Sequence, residues 1–401
     1  MSHTTGARAH GTDHRSIDSV AARLDDELIA LRRDIHHHPE GPGEERRTAA
    51  IVADRLRAAG LAVTTGVGGR GVVGVLRGGS HRPGRAVAYR ADMDAVPPKG
   101  QISGGGTEPA HLCGHDVNTT VGVGVAQVLA RLRHRLSGTV MFIFQPAEES
   151  LTGARDMLDA GVLEGGPAGP EEIHTLHCGP FPVGQFGITP GTGMPGQDRG
   201  SVTLSGPGAA ERARQLAAEI NALATVTTPK TAADVEQLVA DFQTPDGPLA
   251  RFLFVQASAS EKGVVSLSYR CWPEERYMEV RETIRGIAQR YDGAQVSFPD
   301  EPFPAMVGPA DLGHAAGRYL RRHLGPDAVT VLHAAIPFSG EDFALFLDRV
   351  PGTYTFLGVR APGAGITTSY PHFGDFDPDE RAIGHGVRAM AGWLAERARR
   401  G

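Results

Sequence analysis

The sequence predicts an α/β fold in which a larger domain is interrupted by a smaller inserted α+β domain. Continuous apolar runs at 140–144 and 173–176 alternate with segments of helical periodicity, which is typical of strands covered on both faces of a sheet. Between 191 and 309 the pattern changes to shorter strands that alternate in polarity. The 53 glycines and 28 prolines among 401 residues make the chain too rich in turns for a helical bundle or coiled coil.

The change in pattern sets the expected domains. The outer domain comprises 16–190 and 310–401, and the inserted domain comprises 191–309. Two domains are expected because 401 residues exceed one comfortable folding core. Residues 1–15 are rich in His, Thr, Gly and Arg without an apolar stretch, so we expect a disordered N-terminus that is not a signal peptide.

The elements of the outer domain follow from hydrophobic spacing. Val20, Leu24, Leu28, Leu31 and Ile35 predict one amphipathic helix over 16–37, which Pro39 ends. A second helix is predicted over 44–59, strands over 62–65, 72–76 and 86–89, and a buried helix over 119–132. Segments 312–324, 340–347, 353–358 and 381–399 return to the same pattern after the insertion.

The inserted domain is predicted to be an open-faced antiparallel sheet with two helices. Strands are expected over 201–205, 252–256, 264–270 and 294–298, and helices over 209–223 and 274–291. The run 264–270 alternates as a half-buried strand does, with one apolar and one polar face.

Charge and cysteine content exclude several classes of protein. The 40 basic and 46 acidic residues give a formal net charge of −6, which does not suit a nucleic-acid partner or a polybasic membrane anchor. No apolar run approaches the roughly 20 residues of a membrane span. Three cysteines make a disulfide framework improbable, so a reducing cytoplasm is the expected location.

Polar residues follow three of the predicted apolar strands. Asp92 and Asp94 follow the strand at 86–89, Glu148 and Glu149 follow 140–144, and His177 follows 173–176. Ligands of open α/β sheets bind outside the carboxyl ends of the strands, so converging carboxylates and imidazole predict a cation site. Ordinary loop polarity is the alternative for any one of these strand ends.

Further candidate ligands lie in loops. Cys113 and His115 can reach one ion if Gly114 makes a tight turn, although a buried inert thiol is the alternative. The neighbours Glu148 and Glu149 diverge, so one can bind metal while the other acts as a general base on a water. His372, in a Pro/Gly-rich loop, could by itself be a surface histidine.

Two patterns that could indicate a metal site or a nucleotide site are interpreted as structural features. The triplet His36-His37-His38 lies at a predicted helix C-terminus, where imidazolium suits the helix dipole. The glycines at 66, 68 and 71 have the spacing of a dinucleotide fingerprint, but a strand follows them where that motif needs a helix. We therefore predict a hairpin turn there and no nucleotide cofactor.

The plausible ligands are too numerous for one tetrahedral zinc ion with an open position. They are Cys113, His115, Glu149, His177 and His372. Five ligands suit two ions, with the thiolate and a water bridging them to polarise a carbonyl.

The motifs together resemble a known family, the N-acyl-amino-acid amidohydrolases of the dinuclear-metal aminoacylase and carboxypeptidase clan. The chain is most similar to the group of hippurate hydrolase and the plant auxin-conjugate hydrolases. The matching stretches are 31–40 (Leu-Arg-Arg-Asp-Ile-His-His-His-Pro-Glu), 90–97 (Arg-Ala-Asp-Met-Asp-Ala-Val-Pro), 113–116 (Cys-Gly-His-Asp), 144–149 (Phe-Gln-Pro-Ala-Glu-Glu), 340–343 (Gly-Glu-Asp-Phe) and 372–380.

The resemblance implies an aminopeptidase-like catalytic domain with a mixed sheet, and a ferredoxin-like inserted domain that serves as lid and dimer contact. It implies a metal-dependent amidohydrolase with two divalent ions, zinc or manganese, that acts as a homodimer on a small-molecule amide. The five ligands keep their roles, and Glu148 matches the catalytic base. The remaining implied site residues are Asp94 (catalytic, by orienting a ligand), Asp92 and Glu341 (beside the ligands), and Arg270 and Asn118 (substrate contacts).

The chain also departs from the family pattern. Val117-Asn118-Thr119 replaces the usual Gly-His-Thr, and 205–211 has no histidine where a lid histidine is usual. A lid asparagine is also missing from 256–266. Losing one oxyanion donor costs about 10²–10³ in turnover. The alternatives are therefore a divergent enzyme acting on an unusual amide or running a condensation, and an inactive metal-binding protein.

Overall fold

The computed structural model describes residues 13–164 and 169–399, and they form two compact units. The first unit combines the described residues up to Ile188 with Asp311–Thr330 and those from Asp348 onward. The second comprises Thr189–Ala310 and Val331–Leu347. This division differs from the predicted limits chiefly in the segment 331–347, which packs within the second unit.

The described residues contain eleven α-helices and fourteen strands, numbered in chain order. The helices are α1 (His14–Ala21), α2 (Asp25–His36), α3 (Arg46–Ala58), α4 (His115–Arg131), α5 (Gly153–Asp159), α6 (Ala209–Asn221), α7 (Ala232–Phe242), α8 (Tyr277–Ala288), α9 (Ala310–Leu324), α10 (Phe343–Leu347) and α11 (Arg381–Arg397). The strands are β1 (Ala62–Val67), β2 (Gly71–Arg77), β3 (Ala86–Asp92), β4 (Thr139–Gln145), β5 (Glu172–Pro182), β6 (Phe186–Ile188), β7 (Gly193–Met194), β8 (Asp198–Thr203), β9 (Phe252–Ala259), β10 (Val264–Trp272), β11 (Gln295–Ser297), β12 (Met306–Val307), β13 (Val329–Val331) and β14 (Gly352–Arg360).

One eight-stranded sheet has the order β1-β2-β4-β3-β5-β14-β6-β13. The central pairs β3–β4, β3–β5 and β5–β14 are parallel, whereas β1–β2, β2–β4 and β6–β14 are antiparallel. The predicted mixed sheet is therefore confirmed. Because the central strands are parallel, their carboxyl ends share one edge of the sheet.

Helices cover this sheet. The long helix α4 contacts β3, β4 and β5, and it also packs against α2, α3 and α11. It is buried along nearly its whole length, as the sequence predicts for 119–132, and it begins four residues earlier with polar residues that are also buried. A helix surrounded in this way has a fixed position, so residues at its first turn are held firmly at the edge where the parallel strands end.

The predicted single helix over 16–37 is two helices, α1 and α2. The backbone N–H of Ala22 closes α1 on the carbonyl of Asp18, and α2 begins after Leu24 with three acidic residues in its first turn. Both helices bury apolar residues at helical spacing, so the periodicity runs through the break and does not reveal it. Of the segment 1–15, residues 1–12 lie outside the described part, and Asp13 caps α1.

The glycine cluster forms the predicted hairpin. β1 and β2 pair antiparallel up to Val67 and Gly71, and Gly68 and Gly69 take positive φ values of 58° and 97° in the turn. A strand on each side leaves no helix N-terminus for a pyrophosphate. The rejection of a dinucleotide motif there rests on this hairpin.

The second unit contains a four-stranded antiparallel sheet of order β11-β8-β10-β9. Helices α6 and α8 pack on it around a core that includes Val202, Leu216, Leu267 and Ile284. The order of elements, β8-α6-β9-β10-α8-β11, is that of the predicted ferredoxin-like fold, with α7 added in the connection from α6 to β9. Within the described ranges, no helix is long and apolar enough to cross a bilayer.

Candidate metal centre and active site

The candidate site lies where the parallel strands of the first unit end. Asp92 is the last residue of β3, Gln145 is the last of β4, and His177 lies in β5 beyond its paired segment with β3. α4 begins at His115, immediately after Cys113 and Gly114. The parallel pairing of β3 with β5 brings together residues that are distant in the chain. For example, the Thr175 hydroxyl donates to the carbonyl of Arg90, 85 positions earlier.

Two groups of three potential ligands share Cys113. One is Cys113, His115 and His177, and the other is Cys113, Glu149 and His372; within each group the ligand atoms lie within 4.8 Å of one another. Cys113 Sγ is 3.5 Å from His177 Nε2, and His372 Nε2 is 3.4 Å from Glu149 Oε1. All five predicted ligands are thus brought to one place.

The three imidazoles are oriented in the same way. Each places Nδ1 on a backbone carbonyl: His115 on Asp94 O at 2.8 Å, His177 on Cys178 O at 2.9 Å, and His372 on Gly100 O at 2.9 Å. A carbonyl only accepts hydrogen bonds, so Nδ1 carries the proton in each ring. In the neutral imidazole Nε2 is then a lone-pair donor, which is the arrangement that a metal ligand needs.

His115 shows most clearly that these residues fit a cation. Its Nε2 is buried and has no hydrogen-bond partner among the described residues. Carboxylate oxygens of Asp92, Glu148 and Glu149 lie 3.8, 3.8 and 3.9 Å away. A buried nitrogen without a partner is costly, whereas imidazole, thiolate and carboxylate together are donors that divalent transition metals prefer.

In the metal-free chain, the surroundings of the site keep the imidazole of His115 and the thiol of Cys113 protonated and the carboxyl group of Glu149 ionised. Burial lowers the pKa of His115, but the carboxylates of Asp92 and Asp94 outweigh burial and raise it to about 10. Burial raises the pKa of Glu149, but the imidazoles of His372 and His115 outweigh it and bring that pKa down to about 2. Burial, followed by the charge of Glu149, raises the pKa of the Cys113 thiol. A cation would have to displace protons from imidazole and thiol.

The loop after β4 places Glu148 beside these ligands. Ala147 has φ 54°, in the left-handed region, so the chain turns sharply just before Glu148. The Ala147 N–H donates to Glu45 Oε1 at 2.8 Å, and Glu45 also accepts from Gly43 N at 2.8 Å. Sequence reasoning missed Glu45, because its partner Ala147 lies 102 positions away and none of the matching stretches includes it.

Asp94 holds this loop through its carboxylate. Its Oδ1 accepts from the Glu148 N–H at 3.1 Å and its Oδ2 from the Glu149 N–H at 2.9 Å. Its backbone carbonyl accepts from His115. These contacts place Asp94 beside the candidate ligand His115 and the loop of Glu148 and Glu149; its expected role, orienting a ligand, remains a proposal.

Asn118, for which the resemblance implies a substrate contact, lies inside the protein beside Asp92. It is fully buried; its Nδ2 donates to Asp92 Oδ1 at 2.8 Å and its Oδ1 accepts from Cys178 Sγ at 3.6 Å. Both polar atoms are therefore engaged inside the protein, where Asn118 holds Asp92, and its expected substrate contact remains a proposal. Arg90 Nη1 donates to Asp92 from the other side at 2.6 Å. Burial opposes ionisation of Asp92, but His115 and Arg90 lower its pKa to about 2.

His372 is held in an unusual backbone conformation. Its φ is 73°, which a residue other than glycine adopts at a cost of order 1–3 kcal/mol. Its N–H donates to Leu112 O and its carbonyl accepts from Ile102 N, both at 2.7 Å. Together with the bond from the ring to Gly100, these contacts fix the imidazole towards Glu149.

Two predicted site residues, Arg270 and Glu341, belong to the second unit. The guanidinium of Arg270 lies against the backbone of Gly340: a Cβ atom added there would be 2.6 Å from Nη1. Glu341 is buried, and its Oε1 accepts from the Phe343 N–H at 2.9 Å. The structure brings these two near each other within that unit, and their predicted roles remain proposals.

Sequence comparison places the chain among known hydrolases. The profile of peptidase family M20/M25/M40 matches residues 88–396. A probable hydrolase of Synechocystis is 32% identical over 392 residues, covering 94% of this chain and 96% of that protein. The N-acetylcysteine deacetylase of Bacillus subtilis is 32% identical over 374 residues, covering 89% and 93%.

Structural comparison agrees. The crystal structure of the Bacillus subtilis YXEP protein, a dinuclear metal binding peptidase from the M20 family, is 28% identical, with a TM-score of 0.68 and coverage of 94% of this chain and 99% of that one. The chain therefore belongs to peptidase family M20/M25/M40, which confirms the predicted amidohydrolase resemblance, and it is a hydrolase of that family.

Proposed function

We propose that this protein hydrolyses the amide bond of an N-acyl amino acid or a related N-acylated small molecule with two divalent metal ions. The observation that carries the proposal is the pair of ligand groups that share Cys113, with every imidazole presenting Nε2 and Glu148 adjacent to them. One group would hold one ion through His115 and His177, and the other would hold the second through Glu149 and His372.

Glu148 is proposed as the general base and acid. When bound, the ions would polarise the scissile carbonyl and lower the pKa of a water. The Glu148 carboxylate accepts a proton from the attacking water and returns it to the leaving amine nitrogen. Its side chain is 8% exposed, and its backbone N–H is held by Asp94, so the loop that carries the carboxylate has a fixed position.

A pair of neighbouring substitutions tests this division of roles. We expect Glu148→Gln to keep two metal equivalents and to lose about 10²–10⁴ in kcat, the typical share of general acid–base catalysis. Glu149→Gln should lose metal, because an amide oxygen is a weaker ligand than a carboxylate. Metal content by elemental analysis and turnover of an N-acetyl amino acid are measured on the same preparations.

Each variant is the matched control for the other, since both remove one carboxylate from the same loop. Wild-type turnover by Glu148→Gln would contradict the proposed base. Full metal content in Glu149→Gln would contradict its place among the ligands.

The amide class is supported by the name of one relative, an N-acetylcysteine deacetylase. A second candidate is an unusual amide, or the reverse condensation. It is favoured by the lack of histidine in 189–310, which includes the segment 205–211 where the resemblance implies one. Rapid turnover of simple N-acetyl amino acids would support the first candidate, and metal-loaded protein that turns over none of them would support the second.

Metal identity, assembly and location are part of the proposal. The thiolate and three imidazoles favour zinc over manganese by ligand softness. We also propose a homodimer that forms through the second unit, where β9 and β11 are the edge strands of the sheet. Three free cysteines suit a cytoplasmic enzyme. Elemental analysis and sedimentation equilibrium test the first two points.

A further inference from the structure

A buried ionic cluster lies at the start of α4, next to two proposed ligands. Asp116 is 0% exposed, and its Oδ2 is 2.7 Å from Arg32 Nε and 2.8 Å from His36 Nδ1. Its Oδ1 accepts from the Val117 N–H at 2.9 Å. Both partners come from the last turns of α2, some 80 positions earlier in the chain.

The cluster also reaches α11. Arg32 Nη1 is 3.6 Å from Oε1 of Glu380, the residue that precedes α11. Arg33 holds the same carboxylate through Nε at 2.9 Å and Nη2 at 2.6 Å. One arginine of α2 therefore lies between carboxylates at the starts of two other helices.

We infer that Arg32 and His36 are positioning residues for the metal centre: through Asp116 they fix the first turn of α4 and thereby the places of Cys113 and His115. The inference rests on the proposed function. Successive helix residues point in different directions, so His115 can face the metal groups while Asp116 faces α2. A displacement of this turn moves two ligands at once.

The need for such an anchor follows from how α4 begins. Gly114 precedes it with φ 85°, and no side chain caps the first turn from the N-cap position. Because the N-cap residue is glycine, the usual bond from a serine, threonine, aspartate or asparagine at that position is absent, and Asp116 supplies a bond to one free N–H from within the turn. The ion pairs at Asp116 are the side-chain ties from this first turn to α2.

The two histidines that follow His36 bond to their own helix and not to Asp116. His37 Nδ1 and His38 Nδ1 lie at hydrogen-bond distance from the carbonyls of Arg33 and Asp34, in the last turn of α2. They fit the predicted role at a helix C-terminus, whereas the side chain of His36 contacts Asp116 of α4. His38 is therefore a matched control for His36.

The test is titration of metal-free protein with Co²⁺, followed by calorimetry and visible absorption. We expect Arg32→Met and His36→Leu to weaken Co²⁺ binding about 10–100-fold, the usual effect of losing a group that orients a ligand, and to alter the ligand-field bands. His36→Asn keeps an N–H near the position of Nδ1, so it should restore affinity to within about threefold. His38→Leu should match wild type.

A double variant covers the case in which Arg32→Met does not fold. Arg32→Met with Asp116→Asn removes both buried charges, and it should fold yet still bind Co²⁺ at least tenfold more weakly than wild type. Wild-type affinity and spectra in folded Arg32→Met, or in the double variant, would overturn the inference. If wild type itself bound no Co²⁺, the proposed function would fail; two bound equivalents with unaffected variants would refute the anchor alone.

Discussion

Gly114 is the position where a single methyl group should disturb the site most. It lies between Cys113 and His115 with φ 85°, and a Cβ atom there would be 2.5 Å from Cys178 Sγ and 2.8 Å from Cys178 Cβ. A left-handed conformation costs a non-glycine residue about 1–2 kcal/mol. Relieving the overlap in a packed interior costs about a further 1–3 kcal/mol.

Gly114→Ala should therefore lower the free energy of unfolding of the metal-free protein by about 2–5 kcal/mol. The measurement is urea denaturation followed by circular dichroism, with metal affinity measured on the folded variant. Affinity should fall as well, because relief of the overlap has to move Cys113, His115 or Cys178.

Gly60→Ala is the matched control. Gly60 has φ 82°, but a Cβ atom there would have nothing within 4 Å. It should show the backbone cost alone, about 1–2 kcal/mol, with unchanged metal affinity. If Gly114→Ala were no more destabilising than Gly60→Ala and bound metal normally, the close packing of the ligand turn would be refuted.

Two further predictions concern the same site. Asp94→Asn should place an amide against the Glu148 and Glu149 N–H groups, and reduce kcat/KM about 10–100-fold in steady-state assays; unchanged kcat/KM would contradict its positioning role. Metal affinity should rise with pH from about 6 to about 9, because His115, whose pKa is raised to about 10 in the metal-free chain, must lose its proton to bind. Calorimetry in buffers of different ionisation enthalpy measures the protons released, and zero release would contradict this reasoning.

The sequence predicts much of the fold because apolar runs and helical spacing are local signals. The strands β3, β4 and β5 and the buried helix α4 follow from them. The separation of α1 from α2 does not, since the apolar spacing continues through the break. α7 was not predicted, although Thr231 and Asp234 form a capping box at its start, which is a readable signal.

The candidate ligands could be proposed from the sequence because Glu149 and His177 follow apolar strands, and because Cys113, His115 and His372 lie in motifs that resemble a known family. Their supporting residues could not, because each support is a pair distant in sequence. Glu45 accepts a hydrogen bond from the Ala147 N–H, and Asn118 donates one to the carboxylate of Asp92. Nothing local to Asn118 distinguishes a residue that contacts substrate from one buried against a carboxylate.

The most direct test of the proposed centre is a crystal structure of metal-loaded protein with anomalous data collected at the absorption edge of the metal. We predict two anomalous peaks, each about 2.3 Å from Cys113 Sγ, one beside His115 and His177 and the other beside Glu149 and His372. A single peak, or two peaks of which neither lies within bonding distance of Cys113, would contradict the shared-thiolate centre.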